Sequence, residues 1–328
     1  MRNRISRAFL AVAVAGSTIT ALGFAMAGPA GAASLGPAAG AVHRVFTPSG
    51  GPPVYTPSCS KTVSFIGIDS TSPIYTGGCA GYVGSGRNFR YNQALITLPD
   101  AGVVALDDGT APTLDIGLTN TDVAAVAGLT TCGGYLSMFG TNPCGVSNTT
   151  GWVAFGVFLW NNGSNVEIEN FPFTQEATPD TGVFFSIYYN QAGNSLRYVI
   201  RTTSTTHAFA FDAHGAVFNH ASALVDYSAC RSAGTAIRTQ AQINCAQVPG
   251  PAPDGDVRIT QFFQGAWTTA NGQRGTFSGP WNLNPAIVTS QGDPPPGNQV
   301  QVEPAFLWND GMGNGWGDAF GVWWRQNA

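Results

Sequence analysis

The chain has 328 residues, a formal net charge of -4 and only 10% charged residues, against about a quarter in a typical soluble protein. That balance supplies neither the basic footprint of a nucleic-acid binder nor a polybasic membrane signal. With 44% hydrophobic residues, including 20 Phe, 9 Tyr and 8 Trp, the chain can bury a large core, which excludes a disordered protein.

Arg2, Arg4 and Arg7 precede an apolar run from Ala8 to Phe24, and Ala25-Met26-Ala27 follow it. A basic start, an apolar middle and small residues at the exit predict a secretory signal peptide over 1–27. Ser17, Thr18 and Thr20 inside the run weigh against a retained anchor. No later run is long and apolar enough to span a bilayer. The mature protein is therefore expected to be secreted and extracellular, with no membrane span after cleavage. Residues 28–58 are rich in Ala, Gly and Pro and read as a flexible leader, which includes His43.

Order is expected from about Cys59. Thr62–Ile68 reads as a first strand, and Asn88–Leu98 as a second that Pro99-Asp100 ends. Thr113–Leu118 is a strand candidate, and Thr121–Gly128 is compatible with a short helix. Trp152–Trp160, Val166–Phe173, Val183–Tyr189 and Leu196–Thr203 are β-branched and aromatic runs separated by turn residues; the last two form a hairpin. Val257–Phe263, Gly275–Phe277, Val302–Trp308 and Ala319–Trp324 complete the strand candidates. Many short strands with turn signals between them imply an all-β sandwich or barrel, read as a single domain over 59–328.

The six cysteines are Cys59, Cys79, Cys132, Cys144, Cys230 and Cys245, all beyond the signal. An even number in an exported chain favours disulfides, and neighbour pairing (59–79, 132–144, 230–245) is the simplest of the connectivities open to them. A zinc site is disfavoured by the absence of CxxC and HxxxH pairs, so no metal and no cofactor is expected.

In an extended strand Glu167 and Glu169 share one face with Phe171 and Phe173. Two carboxylates beside aromatic surface suit the acid/base work of glycoside hydrolysis. Glu167-Ile168-Glu169 resembles the first half of the Glu-x-Asp-x-(x)-Glu strand of laminarinase-type, concanavalin-like glycosidases, but the third acid falls at Phe171 or Pro172. The bland reading is a solvated strand edge in which Arg197 and Arg201 pair with the two acids.

The order of elements resembles that of the eqolisins, secreted glutamic peptidases with a concanavalin-like, jelly-roll type β-sandwich. The likeness runs from Gly81-Tyr82 and Phe89–Pro99, through the aromatic strand Trp152–Trp160 and the Val183–Tyr189 hairpin, to the Cys230–Cys245 segment. It implies that fold, with disulfide-stapled loops. It also implies a catalytic glutamine and glutamate, yet Met138 and Leu159 stand near those positions. Neither side chain transfers a proton or donates to an oxyanion. A shifted correspondence leaves Glu167 or Gln175 as candidates.

His214 and His220 read as loop residues near Asp212 and Asp226, without the pattern of a triad. Asp310–Asp318 resembles a calcium loop but has Met312 at its third position and no distal glutamate. Trp308, Trp316, Trp323 and Trp324 cluster near the C-terminus, where exposed indoles stack on sugars and buried ones fill a core. The reading that results is a secreted, non-catalytic β-sandwich that binds an extracellular polysaccharide or protein. The alternative is an extracellular hydrolase, a peptidase first and a glycosidase second.

Overall fold

The structure is a computed structural model that describes residues 41–47, 55, 74–98, 111–132, 135, 143–144, 152–173, 182–231, 257–276, 286–290, 298–302, 306–307 and 318–326. All of them fall in one compact unit, Ser34–Ala328. The signal sequence, the Thr62–Ile68 strand and the Asp310–Asp318 loop before its last residue lie outside the described residues.

Among the described residues, sixteen strands join in one antiparallel sheet that curls until its halves face each other. One half runs β1 (Val42–Phe46), β6 (Asn165–Phe173), β5 (Trp152–Asn162), β4 (Val123–Thr131), β3 (Ala111–Thr119), β10 (Phe218–Arg231) and then β2 (Ile74–Thr97). The other contains β7 (Gly182–Asn190), β8 (Ser195–Arg201), β9 (Thr206–Asp212), β11 (Val257–Thr269), β16 (Asp318–Gln326) and β14 (Asn298–Val302). β12 (Arg274–Gly275), β13 (Ala286–Ser290) and β15 (Phe306–Leu307) are short additions at β11, β2 and β16. The all-β sandwich expected from the sequence is observed.

β2 makes the closure possible. Its first half pairs with β10 and β13, and its second half pairs with β7 and β11, so one 24-residue strand belongs to both layers. Ala94, Ile96 and Leu98 alternate into the core between the layers. Asn92 lies there too and donates from Nδ2 to the carbonyls of Gly117 and Ser222, both at 2.8 Å. The Tyr198 hydroxyl from β8 donates to the Val157 carbonyl of β5 at 2.8 Å. These bonds satisfy strand carbonyls across the interlayer space, where a lost partner is costly.

Three expectations are corrected. Thr121–Gly128 is not helical: Val123–Thr131 is β4. Val123, Ala125, Ala127 and Leu129 enter the interlayer core while Ala124 and Val126 enter a second core on the opposite face, so both faces are buried and no helical stripe is needed. The supposed loop holding His220 is β10, a strand between β3 and β2 whose Ala221 and Ala223 are small enough for the layers to close. The leader reading does not extend to Val42–Phe46, which forms β1 against β6.

The second core lies on the outward face of β4, β5 and β6 and includes Val153, Phe155, Val157, Leu159, Tyr55 and Tyr135. The Cys132–Cys144 disulfide, one of the three proposed pairs, borders it with a Cα–Cα distance of 5.9 Å. Cys59 and Cys245, and the side chains of Cys79 and Cys230, lie outside what is described.

Candidate functional site

The site forms where the alternation of β6 meets the register of its neighbours. Glu167 stands opposite Trp160 of β5, and Glu169 opposite Phe158. On the other side His43 of β1 stands opposite Glu169, and Val45 opposite Glu167. Directly opposed residues share a face, so the acids, the imidazole and two aromatic rings converge on one surface.

Both oxygens of Glu167 are engaged. Asn162 Nδ2, at the tip of the β5–β6 hairpin, donates to Oε1 at 2.5 Å. His43 Nε2 lies 3.0 Å from Oε2. The Asn162 hydrogen bond first, then the bond and charge of His43, hold the Glu167 carboxyl below the ordinary carboxylate range.

Glu169 behaves in the opposite way. It is half-buried, and desolvation raises it above the ordinary range; Asp212 and Glu167 push the same way while His43 and His214 counter them. No described residue donates a hydrogen bond to its carboxylate.

His214 arrives from the turn between β9 and β10. Its backbone adopts a left-handed φ of 49°, and its N–H donates to Asp212 Oδ1 at 2.7 Å. Asn194, left-handed itself in the β7–β8 turn, donates to that same Asp212 oxygen and receives the Gly215 N–H, each at 2.7 Å. Two turns thus brace each other and set the imidazole over the indole of Trp160, with 4.3 Å between centroids. The His43 ring is parallel to the same indole to within 6°, at 5.9 Å. Trp160 is consequently 6% exposed and offers no open platform for a sugar ring.

The predicted candidates are distributed unevenly. Glu167 and Glu169 are brought together, but not with Arg197 and Arg201. Those arginines alternate with Leu196, Tyr198 and Ile200, which take the core side of β8; Arg201 lies over the Phe184 ring at 5.8 Å. Leu159 is 1% exposed in the outward core, on the face opposite the carboxylates. Gln175, Met138, Trp308 and Trp316 lie outside the described residues, as do the side chains of Trp323 and Trp324 in β16. His43 and His214 are the site residues that sequence reasoning passed over. The alternating Val-His-Arg-Val-Phe of β1 and the Asp212-x-His214-Gly turn are their signals.

Comparison with known proteins adds the following. No family model and no curated protein matches the chain. Solved structures to which the chain is similar include Scytalido-glutamic peptidase with a peptide-based transition state analog, and SCP-B, an eqolisin-family peptidase in complex with the tripeptide Ala-Ile-His. The first is 10% identical with a TM-score of 0.41, the second 9% identical with a TM-score of 0.39. Each match covers 76% of this chain and 98% of the other.

Among the described residues no group of three or more His, Cys, Asp or Glu side chains is arranged to hold a metal ion. No described helix is long and apolar enough to cross a membrane.

Proposed function

We propose that this chain is a secreted β-sandwich that binds an extracellular ligand, a carbohydrate or another cell-surface component, without transforming it. The observation that carries this reading is Glu169, a half-buried carboxylate with no described donor, beside imidazoles on an aromatic floor. A desolvated acceptor gains most from a partner that brings a hydroxyl, amide or cationic donor. Secretion rests on the signal pattern at Arg2–Ala27. Purified mature protein should be retained saturably on a cell-wall or polysaccharide matrix, and Glu169→Gln should weaken retention about tenfold, the weight of one charge-assisted hydrogen bond. Retention unchanged by Glu169→Gln would sink the assignment of Glu169.

One observation favours a second reading, an extracellular hydrolase. Glu167 and Glu169 are displaced in opposite directions from the ordinary carboxylate range. Neighbouring carboxyls separated in this way suit a base and an acid. Turnover of denatured protein at acidic pH, or of soluble glucans, that Glu167→Gln abolishes would establish the hydrolase and overturn the binding-only reading.

A further inference from the structure

We propose that the group Glu169 receives is an aliphatic primary ammonium, and that the site releases it in acid, when His43 and His214 take over its role. The inference rests on the reading of Glu169 as a ligand site and names the class of ligand and its regulation.

The surface around Glu169 offers no plane to stack on. Trp160 is 6% exposed, with His43, His214 and Phe158 against its ring. A guanidinium or a sugar face, both of which gain from an open aromatic ring, finds none there. The neighbouring strand edge is closed to a peptide backbone as well. β1 fills it with a five-residue ladder, the Thr47 hydroxyl bonds Asn165 at 2.6 Å, and Ala41 packs on the core.

What the site presents is negative charge. Glu167 and Glu169 lie on β6, and Asp212 at the end of β9 acts on Glu169 electrostatically. Both Glu167 oxygens are engaged, and Asp212 Oδ1 accepts from Asn194 and from the His214 N–H. Glu169 is the carboxylate without a described donor. The imidazoles that face it are His43, directly opposite on β1, and His214 from the β9–β10 turn. The Tyr198 hydroxyl of β8 is engaged by the Val157 carbonyl. Arg44 stands opposite Ile168 on the outward face, beside Tyr135, and Arg197 and Arg201 take the side of β8 away from the core. With neutral imidazoles, three carboxylates therefore meet no described cation. An ammonium suits that field: it is compact, has three donors and no acceptor, and needs no flat partner. An aliphatic one keeps its proton through the neutral range.

Acid reverses the field. Desolvation holds the Glu169 carboxyl above the ordinary range, so on descending pH it protonates before Glu167, which is held low. Imidazole side chains gain charge on the same descent. Both rings already stand among the carboxylates, so each proton they take cancels part of the attraction for the ligand. Loss of negative charge and gain of positive charge act in one direction, and the ammonium is released.

The probes are Nα-acetyl-lysine amide, its Nε-acetylated form and the free diamine cadaverine. Each is titrated by saturation-transfer NMR into the mature chain and into Glu169→Gln, with circular dichroism confirming the fold. At about pH 7 the lysine probe should bind saturably and about tenfold more tightly than its Nε-acetylated form, and Glu169→Gln should weaken it about tenfold. At about pH 5 the probe keeps its charge, and its binding to the parent should fall about fivefold or more. Cadaverine binding as tightly as the lysine probe would support a free amine as the source; preference for the lysine probe would support a side chain. Equal binding of the charged and acetylated probes, no saturable binding, or indifference to Glu169→Gln would overturn the ammonium. Binding unchanged in acid would overturn the release. If Glu169→Gln does not fold, the probe and pH comparisons on the parent chain decide both points. Failure of the lysine probe while matrix retention still depends on Glu169 would leave the ligand-site reading standing. Glu169-dependent lysine binding with retention indifferent to Glu169→Gln would support the ammonium and remove Glu169 from retention.

Discussion

The His214 ring lies over the indole of Trp160, 20° from parallel. Trp160 belongs to the first layer of the sheet, and His214 hangs from the turn that follows β9 in the second, so the contact ties the layers at one end of the sandwich. It depends on the braced turns of Asn194 and Asp212. Asn194→Ala should lower the unfolding free energy by about 1–2 kcal/mol, since it removes a donor to Asp212 and an acceptor for Gly215. Chemical denaturation followed by tryptophan fluorescence would measure it. An unchanged midpoint would mean that the turns do not hold each other.

Gly156 of β5 faces Phe171 of β6 so closely that an added Cβ would stand 2.2 Å from the ring's Cζ. Phe171 cannot yield easily, because it packs on Tyr198, Phe209 and Phe211. Gly156→Ala should destabilise by about 1–3 kcal/mol through overpacking. A urea midpoint equal to that of the parent chain would refute the contact.

Asn92 is fully buried and satisfies two carbonyls on different strands. Asn92→Ala should cost about 2–4 kcal/mol, because both acceptors would be left without this donor. Replacement by leucine should not restore stability. Thermal unfolding of the two variants, compared side by side, decides the point.

The two carboxylates should leave opposite marks on stability as pH changes. Glu167 is held below its unfolded value, so its contribution is present above that value and is lost as pH falls through the depressed one. Glu169 is raised, so it costs nothing in acid and becomes a penalty as pH rises through its folded value. Glu169→Gln should therefore raise the melting temperature at pH 7 and leave it unchanged at pH 3, while Glu167→Gln should lower it at pH 7. Melting curves across that range would contradict the assignment if the two variants moved together.

The Cys132–Cys144 bridge closes a loop of sequence separation 12 beside the outward core. Replacing both cysteines by serine should destabilise the chain by about 3 kcal/mol, mainly by freeing the unfolded state. Calorimetry should show a lower transition that added reductant no longer moves at this site.

Much of this architecture is legible along the chain. β5 to β8 announce themselves by short runs of branched and aromatic residues, because a strand's alternation is local and survives without tertiary context. The same period puts Glu167 and Glu169 on one face before any fold is known. β4 and β10 are hidden for the converse reason: their alanines have no strand preference, and extended conformation there follows from burial on both sides of a central sheet position. β1 is hidden because its five alternating residues sit in a Gly- and Pro-rich segment and gain a partner only from β6.

The sequence by itself thus determined the all-β class, a cysteine pair at 132–144 that can close a loop, and a shared face for two acids. The tertiary structure alone decided what that face means. Pairing of β1 with β6 delivers His43, and closure of the two layers delivers His214, while the arginines of β8 are carried to the other side. Local periodicity sets which way a side chain points, but strand pairing between distant segments chooses its neighbours. Those neighbours turned two similar glutamates into one satisfied carboxylate and one waiting for a donor.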